Sequence, residues 1–100
     1  MDRKPIKTRA KIWIWSQMKG SWHFVTLNKT AQAWVVKVRP EQRRGFGSVP
    51  VRVTVGSSTW ETSLFPDKKR GYVLPIKAKI LKAQKFQNGD TITMTLARRI

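Results

Sequence analysis

Leu74 follows Leu27 by 47 residues, and the segments around them run in parallel: Val25-Thr26-Leu27-Asn28-Lys29-Thr30-Ala31 against Tyr72-Val73-Leu74-Pro75-Ile76-Lys77-Ala78, Leu over Leu and Ala over Ala. Each half of the chain reads strand, helix start, short helix, strand. Such a repeat restricts the fold. Neither half can bury its own apolar strand face, so the two are expected to interlock as a small pseudo-two-fold barrel. Asn28 predicts a helix cap, because its short side chain accepts from an unpaired amide of the first turn. Pro75 is expected at the equivalent place, in the first helical turn, where a missing N–H costs nothing.

The remaining segments fit a mainly β chain with two short helices. Residues 11–16 predict a strand with Ile12 and Ile14 on one face and Trp13 and Trp15 on the other. A turn over Met18-Lys19-Gly20-Ser21 leads into a second strand over residues 22–27, and the two make a hairpin. Ala31, Trp34, Val35 and Val38 form one helical stripe, which Pro40 ends. Residues 41–47 are charged and glycine-bearing, and are expected to be the most mobile segment. Residues 48–55 alternate cleanly, with Val49, Val51, Val53 and Val55 on one side; Pro50 suits an edge or a strand start. A strand over 59–64, a basic turn over 66–71 and the second half of the repeat follow. Leu74, Ile76, Ile80, Ile92, Met94 and Leu96 are expected in the core. Residues 1–8 read as a flexible basic leader whose end, near Lys7, is open to joining a strand. Residues 9–100 read as one barrel domain built from halves at about 9–56 and 57–97.

The chain has 100 residues, 21 basic against 5 acidic, for a formal charge of +16. With 40% apolar residues and five tryptophans it is too hydrophobic for a disordered basic tail. So much positive charge works against compaction unless a partner of opposite sign screens it, which points to a polyanion. The chain has no cysteine, which excludes disulfides and suits the cytoplasm, the compartment expected. The apolar run Ile12-Trp13-Ile14-Trp15 is too short for a signal peptide core or a membrane span, so no membrane role is expected.

Several blocks resemble one family. Lys11-Ile12-Trp13-Ile14-Trp15, Gly20-Ser21-Trp22-His23-Phe24-Val25-Thr26-Leu27, Arg44-Gly45-Phe46-Gly47-Ser48-Val49-Pro50-Val51-Arg52-Val53-Thr54-Val55, Ser63-Leu64-Phe65-Pro66-Asp67-Lys68-Lys69-Arg70-Gly71, and Leu74-Pro75-Ile76-Lys77 through Gly89-Asp90 look like the signature blocks of the domain of unknown function 1905 family. Asn28 stands where that family usually has proline. The resemblance implies a small double-split β-barrel, similar in fold to the swapped-hairpin AbrB and MazE DNA-binding proteins, with one duplicated chain supplying both halves. That duplication is compatible with a monomer. The family carries no assigned activity, so the resemblance speaks to fold and not to function.

Little in the chain suits catalysis. His23 is the only histidine, and Asp2, Glu41, Glu61, Asp67 and Asp90 are dispersed. No cluster emerges for acid–base or metal chemistry, so the chain is expected not to be an enzyme and to carry no metal or cofactor. Gly45-Phe46-Gly47-Ser48 lacks the spacing and lysine of a phosphate loop. Among the tryptophans, Trp34 and Trp22 (which shares a face with Phe24) are expected in the core, while Trp13, Trp15 and Trp60 are free to face either way.

The basic residues bunch in five segments, at the start, around residue 40, in the turn near residue 69, on the second helix and at the end. Arg43, Arg44, Lys68, Lys69, Arg70, Lys77, Lys79, Lys82 and Lys85 from these segments, with Arg52 from the strand over residues 48–55, are the candidates for contacting a nucleic acid or other polyanion. Lysines on a short helix act as point charges, so contacts through them would be independent of base sequence. The leading expectation is a non-enzymatic, basic nucleic-acid-binding barrel. The alternatives are an interaction or structural module for an acidic protein or the ribosome surface, and a small-ligand barrel whose mouth is lined by Trp13, Trp15, Trp60 and His23.

Overall fold

The computed structural model describes residues 4–17 and 20–99. Arg3 of the expected leader, Asp2, and the Met18-Lys19 part of the hairpin turn lie outside the described residues. In chain order come β1 (Ile6–Gln17), β2 (Gly20–Thr26), α1 (Lys29–Val36), β3 (Val49–Val55), β4 (Ser58–Asp67), β5 (Gly71–Ile76), α2 (Ala78–Gln84) and β6 (Thr91–Arg98). The six strands close into an antiparallel barrel in the order β1-β2-β5-β4-β3-β6. Exchanging β1 with β4, β2 with β5 and β3 with β6 returns the same set of neighbours, so the topology has the two-fold character that the repeat predicts.

Closure depends on the two long strands, each of which divides its length between two partners. β1 pairs with β6 from Ile6↔Leu96 to Lys11↔Thr91, then with β2 from Ile12↔Val25 to Gln17↔Gly20. β4 likewise pairs with β3 up to Leu64↔Val49 and with β5 from Phe65↔Val73 onward. At the switch in β1, the backbone of Ile12 is satisfied by the loop before β6: its N–H donates to Asp90 O and its carbonyl accepts from Gly89 N, both at 2.8 Å. Gly89 has φ +93°, so the Asn88-Gly89 turn places both groups without strain.

Alternation fills the interior. Val49, Val51, Val53 and Val55 from β3 meet Ile92, Met94 and Leu96 from β6, with Ile12, Val25, Leu64 and Leu74 completing the layers, all of them buried. α1 closes one end with the expected stripe of Ala31, Trp34, Val35 and Val38, and α2 contributes Ile80. Asn28 caps α1 as predicted, its Oδ1 accepting from Ala31 N at 2.9 Å.

Three expectations about the elements are corrected by the structure. The basic leader does not run to residue 8, because β1 begins at Ile6 and Thr8 is buried against β6. Pro75 lies in β5 opposite Phe24, and α2 starts later, with Lys77 at its cap position. Leu27 N bonds to Tyr72 O, and the antiparallel alternation then turns position 75 away from β2, toward a side where β5 has no ladder partner beyond Val73. A missing N–H is tolerated there. Pro66 likewise belongs to β4, and the basic turn shrinks to residues 68–70.

Residues 41–47 lie in the charged, glycine-bearing loop between α1 and β3. They form two 3-10 turns, Pro40–Gln42 and Gly45–Gly47, tied down by Arg43. Arg43 Nε donates to Val38 O at 3.2 Å, Nη2 to Val35 O at 3.1 Å, and Nη1 to Gly47 O at 3.2 Å and Tyr72 Oη at 2.6 Å. One guanidinium fork thus serves carbonyls at the end of α1 and in the loop together with the Tyr72 hydroxyl of β5. Pro50 is the second residue of β3, in keeping with a strand start, and the closed barrel leaves it no open edge.

Candidate functional site

Because Thr8, Ala10 and Ile12 point inward, the intervening residues of β1 form a file on the outside: Lys7, Arg9, Lys11, Trp13 and Trp15. Val25 points inward from β2, so Trp22, Phe24 and Thr26 point outward. The register sets Trp15 opposite Trp22 and Trp13 opposite Phe24. The rings of Trp13 and Phe24 are stacked, with centroids 5.1 Å apart and planes inclined by 26°, and Trp13 Nε1 donates to Thr26 Oγ1 at 2.9 Å. These contacts hold Trp13 in place. Trp15 and Trp22 are 47% and 58% exposed. The expectation of Trp22 in the core is therefore overturned, because its strand face is the outer one. Ile14 shares the inner parity of β1 but is 38% exposed, since it lies beyond the packed layers.

The β4–β5 turn borders this aromatic surface. Asp67 Oδ1 accepts the N–H groups of Lys69 and Arg70, each at 2.9 Å, which shapes the turn. Those two N–H groups, Lys69 first, together with the charges of Arg70 and Lys69, hold the Asp67 carboxyl below its ordinary value. The Arg70 guanidinium lies 4.3 Å from the Trp13 ring centroid, a cation–π contact, and 3.9 Å from Asp67 Oδ2. Gln32 Nε2 of α1 donates to Leu27 O at 2.9 Å and Arg70 O at 3.3 Å, pinning the turn to the barrel. Trp13, Trp15, Phe24, Asp67, Arg70 and Val73 line a cleft of about 280 Å³.

The cations of the file lie beside uncharged neighbours. Lys7, Arg9 and Lys11 are registered against Thr95, Thr93 and Thr91 of β6, and none of the three is in an ion pair among the described residues. A second cleft of about 400 Å³, lined in part by Lys7, Thr8, Arg9, Asn28 and Thr30, opens where the file meets the start of α1.

The ten cations singled out from sequence separate into groups. Arg70 lines the aromatic cleft, and Lys68 and Lys69 are exposed in the same turn. Arg43 is committed to holding the chain together, as described above. Arg52 of β3 donates to Glu61 Oε2 of β4 at 3.0 Å, and Glu61 also meets Nη2 of Arg99, just past β6, at 3.1 Å; β3 stands across the barrel from β2. Arg44 is exposed in the loop before β3. Lys77, Lys79, Lys82 and Lys85 are exposed along α2, at the end of β5 away from the Arg70 turn. Lys82 and Lys85 line a further cleft of about 390 Å³ with His23 and Phe86.

Trp13, Trp15, Trp60 and His23 do not converge on a mouth. The first two face outward, Trp60 is buried, and the interior is packed with aliphatic side chains. Among the described residues there is no group of three or more His, Cys, Asp or Glu placed to hold a metal ion. Lys7, Arg9 and Lys11 belong to the basic bunch at the start of the chain but not to the ten candidates, although their i, i+2 spacing continues into Trp13 and Trp15.

The model of the family described as "Domain of unknown function (DUF1905)" matches residues 9–96. The chain belongs to that family. The match covers both halves of the barrel, and its limits take in Arg9, Lys11, the aromatic face and the β4–β5 turn. No curated protein matches the chain. Family membership leaves the activity open, so the surface itself is the source for function.

Proposed function

We propose that this DUF1905 member is a non-enzymatic module that binds nucleic acid through the outer face of β1, β2 and the β4–β5 turn, acting as a monomer in the cytoplasm. The observation that carries the reading is the single file Lys7-Arg9-Lys11-Trp13-Trp15, three cations without an ion pair among the described residues running into two aromatic rings, with Arg70 beside it. A formal charge of +16 on a folded chain adds a long-range field that draws in polyanions. One chain supplies both halves of the barrel, which supports action as a monomer. No helix among the described residues is long and apolar enough to cross a membrane.

Lys7, Arg9, Lys11, Lys68 and Lys69 together would neutralise up to five phosphates, giving a log–log dependence of affinity on salt with a slope of about −3.5 to −4.5. Gel-shift titration across salt concentrations measures this slope. Replacing Lys7, Arg9 and Lys11 together by Gln is expected to flatten it by about 2–3 while leaving the fold intact. Failure of the parent protein to bind any DNA or RNA at about 50 mM salt, where counterion release is strongest, ends the proposal.

A further inference from the structure

We infer that the polynucleotide this face selects is single-stranded, with bases stacked on Trp15 and Trp22. The inference rests on the nucleic-acid reading above and adds which form is bound. Two large rings in register across neighbouring strands, 47% and 58% exposed, are costly to leave in water, and an exposed aromatic patch of this kind marks a binding surface. Trp13 and Phe24, stacked on one another beneath Arg70, extend the same surface.

Charge complementarity identifies the occupant. Lys11 and Arg9 precede the rings on β1, while Arg70 lines the aromatic cleft and Lys68 and Lys69 are exposed in the same turn. Asp67 is the acid lining the cleft, and its Oδ1 is already engaged by two backbone N–H groups. Aromatic rings along a cationic path are what a single strand requires, because its bases offer open π-faces that a duplex keeps inside its own stack. The file from Lys7 to Trp15 spans roughly 26 Å at the strand rise. A duplex reader is not favoured by the helices. α1 and α2 turn their apolar faces into the barrel ends and have eight and seven residues, so neither projects for insertion into a major groove.

The test uses the full chain with labelled oligothymidylate, oligouridylate and a DNA duplex of equal length, read by anisotropy and by quenching of tryptophan fluorescence. Single strands are expected to bind more tightly than the duplex and to quench emission. The double variant Trp15→Ala/Trp22→Ala is expected to lose about 10- to 100-fold in single-strand affinity, a larger loss than it shows for the duplex, with the salt slope unchanged. Both side chains are largely outside the core, and thermal melting of the variant confirms its fold. The thymidylate and uridylate arms separate DNA from RNA, and preferential binding of either supports the inference. Equal affinity for single strand and duplex, or an unaltered single-strand affinity in the double variant, overturns this inference while the nucleic-acid reading stands. Loss of all binding at low salt overturns both. Self-association through the tryptophan pair in sedimentation, without nucleic acid and abolished in the double variant, assigns the face to a second copy and also overturns it.

Discussion

Arg43 allows a direct decision between two roles, because sequence reasoning placed it among the polyanion contacts and the structure commits four of its five N–H donors internally. Replacing it by Ala removes donors from Val35 O, Val38 O, Gly47 O and Tyr72 Oη. Charge-assisted bonds contribute about 1.5–3 kcal/mol each, but they are not additive. Val35 O also accepts from Val38 N at 3.0 Å, and the side chain is half-buried, so part of the loss is absorbed by solvent and by remaining partners. The expected net cost is about 3 kcal/mol. For a domain of this size that corresponds to a fall in Tm of at least about 12 °C. Urea titration should show a lower midpoint with an unchanged slope, the signature of lost stability in an otherwise similar fold. Arg43→Lys should recover less than half, since one ammonium cannot reach acceptors at the end of α1, in the loop and on β5 at once. A phosphate contact would behave in the opposite way, leaving stability alone and flattening the salt slope by about 1. An Arg43→Ala protein within about 0.5 kcal/mol of the parent would refute the structural assignment.

Gly71 has φ +86°, and a Cβ there would run into the Gln32 amide that holds the Arg70 turn, so Gly71→Ala should cost about 2–4 kcal/mol by denaturant titration and weaken the Arg70–Trp13 contact. Asn28→Ala removes the α1 cap and should cost about 1 kcal/mol in the same assay, whereas Asn28→Asp should be close to neutral. The Asp67 carboxyl is held below its ordinary value by the Lys69 and Arg70 amides. Its contribution is therefore fully present above the unfolded Asp pKa and fades as pH falls through the lower folded value. The turn around Arg70 should loosen only in that acidic window, seen as a change in Trp13 fluorescence, and Asp67→Asn should remove the pH dependence.

The elements most legible in the sequence were those governed by local periodicity. The valines of β3, the stripe of α1, the Asn28 cap and the apolar set from Leu74 to Leu96 all follow from spacing and side-chain chemistry within a few residues. The repeat at Leu27 and Leu74 implied two-fold closure, because neither half can bury its face alone. Pro75 was misplaced because its tolerance depends on which side of β5 lacks a partner, a fact of strand pairing. Arg43 and Arg44 are adjacent and chemically alike, yet only the fold directs one guanidinium into four acceptors and leaves its neighbour exposed.

Sequence alone determined that the chain is a mainly β duplication with a large positive charge, since alternation, capping and composition are local or additive properties. Tertiary structure decided which face of each strand is wet. Parity within β1 groups Lys7, Arg9 and Lys11 with Trp13 and Trp15, but only closure of the barrel tells whether that set lies inside or out. The same closure puts Trp22 beside Trp15 and brings Arg70 over Trp13 from 57 residues away in the chain. The physical reason is that alternation fixes two faces without labelling them, and burial is settled by which face the partner strands and helices cover.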